Sequence, residues 1–313
     1  MKDQEPSTNT RVCYRIDTDS SFGLRLSIFQ WVACFLFIEI VWTFVGGAVT
    51  MLFFELTRNR AYSSASWLIY LGQHMNFLVL FSVIWLCTRY VLRVPLGRFV
   101  TDAPRFRWSL FRYGAIVWLV GIAIGTVVTA LLEPEAIMIN RTDFIWDRLT
   151  LMAIALIFTP LQCIAEELLF RTLLWRMFSG RVRKGWVIAG VSGVVFTIAH
   201  LANAEVQTAD VVYPVLFYYF LTGALFMEIN RRHGGSEAVF GAHVANNIFL
   251  VMVINYTGSS LASDPWFIQQ SPVLWLDLTI LILCCLIILY GTKSVTGEQS
   301  RGLPLQGLSH NTR

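Results

Sequence analysis

Charged residues are scarce in this chain. Asp, Glu, Lys and Arg together make up 14% of its 313 residues, whereas hydrophobic residues make up 56%, and the mean hydropathy is +0.59. Soluble domains carry about 25% charged residues, so this composition excludes an ordinary soluble fold. The formal net charge of +4 does not indicate a nucleic-acid partner, because the basic residues follow the pattern of hydrophobic runs described below.

The sequence gives no indication of a disulfide framework, a cleavable signal peptide or a fixed-period repeat. Five of the six cysteines lie within hydrophobic runs, and Cys13 lies in the polar N-terminal tail, so no disulfide pairing is predicted. Residues 1–27 contain no apolar core, and the first hydrophobic run is therefore predicted to be an uncleaved signal anchor.

Long hydrophobic runs dominate what is present. A helix needs about 20 residues to cross a bilayer, and eight runs have roughly that length. We therefore predict an all-α polytopic membrane protein with about eight transmembrane helices and a single transmembrane domain over 28–292. The predicted spans are 28–56, 66–91, 110–133, 149–178, 186–202, 211–230, 237–257 and 272–291.

The distribution of basic residues predicts the orientation of these spans. Of the 24 Lys and Arg residues, 19 lie in the tails and even-numbered loops, four lie in the odd-numbered loops, and Arg171 lies within a span. By the positive-inside rule, both termini are predicted to be cytoplasmic, with tails over 1–27 and 293–313. Only three of the basic residues are Lys, which is typical of a GC-rich bacterial genome and favours a bacterial inner membrane.

The fourth hydrophobic segment is too long for one straight crossing. From Arg148 to Arg176 is 28 residues, or about 42 Å of helix at about 1.5 Å per residue, against a hydrocarbon core of about 30 Å. Pro160 lies within this segment. A kink or an interruption is therefore predicted, with 166–178 tilted in the inner half of the membrane.

Ionisable residues inside spans need a partner or a function, because burying a charge in lipid is costly. Single ones, scattered along the spans, are interpreted as interhelical or interfacial hydrogen-bonding groups. These residues are Glu39, Glu55, His74, Glu228 and Asp277.

A second set of polar residues is concentrated between 166 and 247. Glu167 and Arg171 are spaced i, i+4, so they can form an ion pair on one helix face. Glu166 points about 100° away from Glu167 and lacks that partner. The set also includes His200 on another helix and the i, i+4 pair of His243 and Asn247. Packing alone does not explain so many polar residues within hydrophobic runs.

These side chains could form a complete hydrolytic site. Glu166 and a histidine can deprotonate water for attack on a carbonyl, while a second histidine and an amide can donate to the oxyanion. Two histidines and a carboxylate are also the ligands of a catalytic zinc site. The sequence therefore leaves open whether a divalent metal such as zinc is bound, with His200, His243 and Glu166 as its ligands. The H-E-x-x-H motif is absent.

In these motifs the chain resembles the CAAX protease and bacteriocin-processing family of intramembrane endopeptidases, also called Abi, which includes the Rce-type proteases. The family pattern is E-E-x-x-x-R, then F-x-x-x-H, then H-x-x-x-N, on successive helices. The matching segment, about 149–257, contains all three in order. The matching residues are Glu166, Glu167, Arg171, Phe196, His200, His243 and Asn247.

The resemblance implies hydrolysis of a peptide bond in a membrane-associated protein or peptide. It implies that Glu166 and His200 activate water, that His243 and Asn247 stabilise the oxyanion, and that Glu167 and Arg171 support them. The family includes enzymes described as metal-dependent and as metal-free, and its substrates range from prenylated tails to bacteriocin leaders.

Two other functions are compatible with the sequence. The polar set could be a structural network in a membrane scaffold, an immunity protein or a transporter. Alternatively, Gly190-Val191-Ser192-Gly193 has the G-x-S-G pattern of rhomboid serine proteases, with Ser192 as nucleophile and His243 as base. Small residues at a helix contact explain that tetrapeptide equally well.

Overall fold

The computed structural model of the chain describes residues 26–59, 65–141, 144–209, 212–261 and 263–301. Most of the predicted N-terminal tail, with Cys13, and the last twelve residues of the predicted C-terminal tail lie outside the described residues.

Helices make up most of the described chain, and three short strands accompany them. The helices are α1 (Ile28–Thr57), α2 (Ser66–Val91), α3 (Leu96–Val100), α4 (Trp108–Leu132), α5 (Ile145–Phe178), α6 (Gly185–Ala199), α7 (Ala204–Gln207), α8 (Val212–His233), α9 (Glu237–Met252) and α10 (Leu274–Arg301). The strands are β1 (Ile137–Ile139), β2 (Ile254–Tyr256) and β3 (Phe267–Gln269).

The architecture confirms the predicted class, an all-α polytopic membrane protein. Among the described residues, six helices are long and apolar enough to cross a bilayer. The other two predicted spans, 186–202 and 237–257, form the shorter helices α6 and α9, of 15 and 16 residues. At about 1.5 Å per residue they are about 22–24 Å long, less than the hydrocarbon core. The last helix, α10, continues beyond the predicted span to Arg301 and so includes the first residues of the predicted tail 293–313.

The fourth predicted span is not broken. It forms α5, which extends over 34 residues without a gap, and Pro160 lies in its regular α-helical part. Regular geometry is lost instead at Leu168–Leu173, which forms π-helical turns. Such turns shift the helical register and are frequent at functional sites. Here they follow Glu166 and Glu167 directly.

The strands form a small sheet that the hydrophobic pattern did not predict. Its order is β1-β3-β2, with β1 antiparallel and β2 parallel to β3. Beside it, Arg148 near the start of α5 is buried and forms an ion pair with Asp264 at 3.0 Å. We call this end of the bundle the sheet end.

The opposite end of the bundle is closed by buried polar contacts. The Arg107 guanidinium forms an ion pair with fully buried Glu237 at 2.7 Å, next to the start of α9. Thr172 on α5 and the Ser236 hydroxyl are 2.6 Å apart, and Ser236 donates to Asn230 Oδ1 at 2.7 Å. These contacts join α4, α5, α8 and α9.

Close helix contacts position α9, which packs mainly against α4 and α5. A Cβ atom on Gly114 would lie 2.1 Å from the Ala238 carbonyl oxygen, and one on Gly241 would lie 1.9 Å from the Phe111 carbonyl oxygen. Any larger residue at either position would push the two helices apart. Since α9 carries His243 and Asn247, these glycines set how deeply both side chains lie in the bundle.

Candidate active site

A single cavity of about 1160 Å³ brings together most of the predicted site residues. Glu166 and Glu167 reach it from α5, His200 from the end of α6, and His243 and Asn247 from α9. It extends to the sheet end, where residues of β2 and β3 line it. Of the six predicted residues, only Arg171 does not line the cavity.

Glu166 is held by a neighbour on its own helix. The Gln162 Nε2 amide donates to Glu166 Oε1 at 3.0 Å. Gln162 is one turn earlier on the same face, and its Oε1 atom lies 2.9 Å from Nε2 of buried His74. The other carboxylate oxygen, Glu166 Oε2, is 4.0 Å from His243 Nε2, too far for a direct hydrogen bond. The second oxygen therefore keeps its capacity to accept a proton.

His243 is oriented by the second glutamate. Its Nδ1 donates to Glu167 Oε1 at 2.8 Å, which turns Nε2 toward Glu166. Glu167 is fully buried, and its other oxygen lies 3.2 Å from Arg171 Nε, as the i, i+4 spacing predicted.

Arg171 is fully buried between two aromatic rings. Its guanidinium carbon lies 4.0 Å from the ring centroid of Phe196 and 5.4 Å from that of Phe226. None of its N–H groups has a hydrogen-bond partner among the described residues, so the ion pair with Glu167 and the cation–π contacts compensate its burial.

His200 is fixed by its backbone and by two rings. Its Nδ1 donates to the Phe196 carbonyl oxygen at 2.7 Å, so Nε2 keeps its lone pair in the neutral ring. The ring centroids of Phe196 and Tyr219 are 4.1 Å and 4.5 Å away. The F-x-x-x-H motif therefore has a physical basis, because one phenylalanine contacts both Arg171 and the histidine.

A directional chain of hydrogen bonds orients Asn247. The Trp118 indole N–H can only donate, and it donates to Asn246 Oδ1 at 3.0 Å. The Asn246 amide nitrogen must then point away, and it donates to Asn247 Oδ1 at 3.0 Å. The Asn247 nitrogen is left with its N–H groups unused by the described residues, beside the cavity.

The three side chains that could hold a metal are not arranged as a ready ligand set. Within the described ranges, no group of three or more His, Cys, Asp and Glu side chains is close enough to bind an ion. His200, His243 and Glu166 line the same cavity but do not converge on one point.

Ser192 lies outside this cavity. Its hydroxyl is fully buried and lies 3.0 Å from the Phe170 carbonyl oxygen and 3.1 Å from that of Gly223. A Cβ atom on Gly223 would lie 2.7 Å from the Gly193 Cα atom. The G-x-S-G tetrapeptide is therefore a close contact between α6 and α8, and this geometry does not favour a serine nucleophile.

The scattered ionisable residues have diverse surroundings. Glu228 pairs with Arg231 and Arg232, and exposed Glu55 pairs with Arg58, as expected for interfacial groups. Glu39 is half-buried. His74 and Asp277 differ from these because both line the cavity.

Sequence reasoning missed several residues that shape the site: Gln162, Trp118, Asn246 and Tyr219. An amide four residues before Glu166 was a usable signal, since i, i+4 side chains share a helix face. No signal within the sequence pairs Trp118 with Asn246, which are 128 residues apart.

Two comparisons with known proteins give a match. Residues 148–249 match the family described as type II CAAX prenyl endopeptidase Rce1-like. The chain is also similar to YyaK of Bacillus subtilis (strain 168), an uncharacterized protein, with 28% identity over 195 residues. That alignment covers 61% of this chain and 63% of the relative, so the chain spans less than two thirds of the relative's length. No solved structure gives a significant match. The resemblance predicted from the three motifs is thus confirmed, and residues 148–249 form the Rce1-like segment of this integral membrane protein.

Proposed function

We propose that this protein is an intramembrane endopeptidase that hydrolyses peptide bonds of a membrane-associated protein or peptide, using a water molecule activated by Glu166 and His200. The observation that carries the proposal is the convergence of Glu166, His200, His243 and Asn247 on one cavity. In each of these side chains, one nitrogen or oxygen atom makes no hydrogen bond to the described residues and is available to water or substrate.

Water activation requires an acceptor for a proton. Glu166 Oε2 makes no hydrogen bond to the described residues, while Gln162 holds Oε1 at 3.0 Å. His200 offers a lone pair at Nε2, because Nδ1–H is committed to a backbone carbonyl. A water between these two groups would lose a proton to Glu166 as its oxygen attacks the substrate carbonyl, and the protonated carboxyl would then protonate the leaving amine.

Oxyanion stabilisation requires donors. Asn247 supplies its amide N–H groups, because Asn246 occupies its carbonyl oxygen. His243 donates from Nε2 when that atom carries a proton. Glu167, 2.8 Å from Nδ1, stabilises the positive charge of the doubly protonated ring. Removing one oxyanion donor in other hydrolases costs about 10²–10³-fold in rate.

The substrate and the membrane are parts of the same proposal. The cavity includes residues of α1, α4 and α8 within the apolar spans, for example Met51, which is 73% exposed. Peptide segments could therefore reach it from the lipid phase. We propose a bacterial inner membrane because of the excess of Arg over Lys, and cytoplasmic termini because of the distribution of the basic residues.

The decisive experiment compares Glu166→Gln with Ser192→Ala. Gln preserves volume and hydrogen bonding but cannot accept the proton of water, so the expected loss is at least about 10²-fold. Membranes of cells that express wild type or either variant would be mapped for new peptide termini, a readout that works for any substrate. Termini formed by the wild type are expected to disappear with Glu166→Gln and to persist with Ser192→Ala.

The contrary outcomes are equally clear. Termini that disappear only with Ser192→Ala would indicate a serine protease. If wild type and Glu166→Gln give the same termini at equal protein levels, the polar cluster is a structural network in a scaffold, immunity or transport protein.

A further inference from the structure

The cavity is lined by acidic side chains without basic Lys or Arg side chains among the described residues. The four carboxylates belong to Glu166, Glu167, Glu205 and Asp277. Three of these carboxylates have partners. Glu167 pairs with Arg171, and Glu166 accepts from Gln162. Glu205 accepts from the Tyr219 hydroxyl and from the backbone and hydroxyl of Ser260 at 2.9 and 2.5 Å.

Asp277 is the exception. It lies in the first turn of α10, in a segment otherwise made of apolar residues and threonine. Its carboxylate has no hydrogen bond and no ion pair with the described residues, yet it lines the cavity. The side chain is part-buried, and a carboxylate that faces a cavity without a partner in the described part of the chain is available to bind a cation.

Two tyrosines line the cavity together with this carboxylate. They are Tyr218 and Tyr256, and the charge of Asp277 acts on both phenols. For Tyr256, which lies beyond the end of α9, burial together with the charges of Glu205 and Asp277 raises the pKa of the phenol above its ordinary value. That phenol therefore stays neutral, and the ring faces of both tyrosines can contact a cation.

From these observations we infer that Asp277, with Tyr218 and Tyr256, binds a positively charged residue of the substrate. The inference rests on the proposed function and adds a substrate class to it: peptides with a Lys or Arg near the cleaved bond. A cation there gains a carboxylate partner in a weakly polar site, where charge pairing is stronger than in water. Substrates with an acidic residue at that point are repelled.

The distance between the two parts of the cavity predicts the position of the basic residue. The charge of Asp277 acts on Tyr218, and Phe226, two turns further along α8, contacts His243 at a centroid distance of 6.5 Å. Eight residues of helix span about 12 Å, which equals roughly three to four residues of an extended peptide. The basic residue is therefore expected three to four positions from the cleaved bond.

The test uses quenched-fluorescence peptides that share one apolar segment. In each peptide a single position, between one and six residues from the cleaved bond, is occupied by Lys, Gln or Glu. The wild type is expected to prefer Lys over Gln at least tenfold in kcat/KM at three or four residues. Asp277→Asn should abolish this preference by raising KM for the Lys peptide. Asp277→Lys should reverse the preference toward Glu.

A binding assay separates this inference from the proposed function. The Glu166→Gln variant should bind the Lys peptide at least tenfold more tightly than the Glu peptide, and the double variant with Asp277→Asn should bind both alike. If Asp277→Asn retains the Lys preference in either assay, the inference is wrong even when Glu166→Gln abolishes cleavage. If no peptide is cleaved but the binding preference depends on Asp277, the binding site stands and the protease proposal fails.

Discussion

The Trp118 indole N–H donates to Asn246 Oδ1 at 3.0 Å, and this contact determines the direction in which the next side chain, Asn247, presents its amide. Trp118 lies on α4, outside the Rce1-like segment 148–249. The first half of the chain therefore contributes to the geometry of a site whose recognisable motifs all lie in the second half.

Substitution of Trp118 by Phe should impair catalysis through Asn247 alone. The aromatic character is preserved, but Asn246 loses the donor that fixes its orientation, so the Asn247 amide can present its oxygen to the oxyanion. We expect kcat to fall about tenfold with KM little changed. The loss should be smaller than that of Asn247→Ala, for which about 10²–10³-fold is expected.

A double-mutant cycle is the control for this prediction. If Trp118 acts only by orienting Asn247, then Trp118→Phe should have no further effect in the Asn247→Ala background. Equal losses in both backgrounds would indicate a general packing role and would contradict the assignment. Thermal unfolding of each variant in detergent checks that Trp118→Phe, which keeps an aromatic ring beside Phe226, leaves the fold intact.

Breaking the buried ion pair should cost stability as well as activity. Arg171→Met leaves the Glu167 carboxylate fully buried without its cation, and removal of one partner of such a pair typically costs about 3–5 kcal/mol. Denaturation in detergent should show a clearly lower midpoint. Glu167→Gln with Arg171→Met removes both charges, and the midpoint should recover part of the loss.

Activity should not recover with stability in that double variant. The amide introduced by Glu167→Gln cannot stabilise a positively charged His243 ring, since the contact at 2.8 Å would lose its ionic component. A double variant that regains both stability and full activity would show that the Glu167 charge has no role in the reaction. A matched substitution at the opposite end, Arg107→Met, should lower the midpoint without this specific loss.

The sequence predicted the membrane class, and it named five of the residues that line the candidate site, for a physical reason. Hydrophobic run length and i, i+4 spacing are local properties, so the spans and the pair of Glu167 and Arg171 could be derived from neighbouring residues. The boundaries of α6 and α9 could not. In both cases the apolar run continues past the end of the helix. Hydropathy alone cannot distinguish the end of a helix from the apolar loop that follows it.

Contacts between distant segments explain the remaining differences. His74 was interpreted as an interhelical or interfacial hydrogen-bonding group, and it does contact Gln162 on another helix, but the sequence could not name a partner 88 residues away. Strands β1 and β3 pair across an even longer separation, between 137–139 and 267–269. Asp277 was also grouped with interfacial residues, and only the folded chain reveals that it faces the same cavity as Glu166.

Metal dependence can be tested directly, because the proposed mechanism uses only side chains and water. It predicts full cleavage activity after chelation and dialysis, and no stoichiometric metal by elemental analysis of detergent-purified protein. The control is His243→Ala measured in parallel. Stoichiometric zinc in the wild type that disappears in this variant would instead assign His243 as a ligand, and loss of activity on chelation that zinc restores would replace the proposed mechanism.

The predicted orientation of the protein rests on its charges, and it would determine the side on which substrates of the proposed enzyme meet the cavity. Basic residues flank the end closed by Arg107 and Glu237, whereas the sheet end, into which the cavity extends, has few. We therefore expect reporter fusions at Arg141 and Ala204 to report a non-cytoplasmic location, and a C-terminal fusion to report the cytoplasm. This outcome would open the cavity away from the cytoplasm, so that substrates are exported peptides or membrane-protein segments. A cytoplasmic signal at both internal sites would invert the topology and assign cytoplasmic substrates instead.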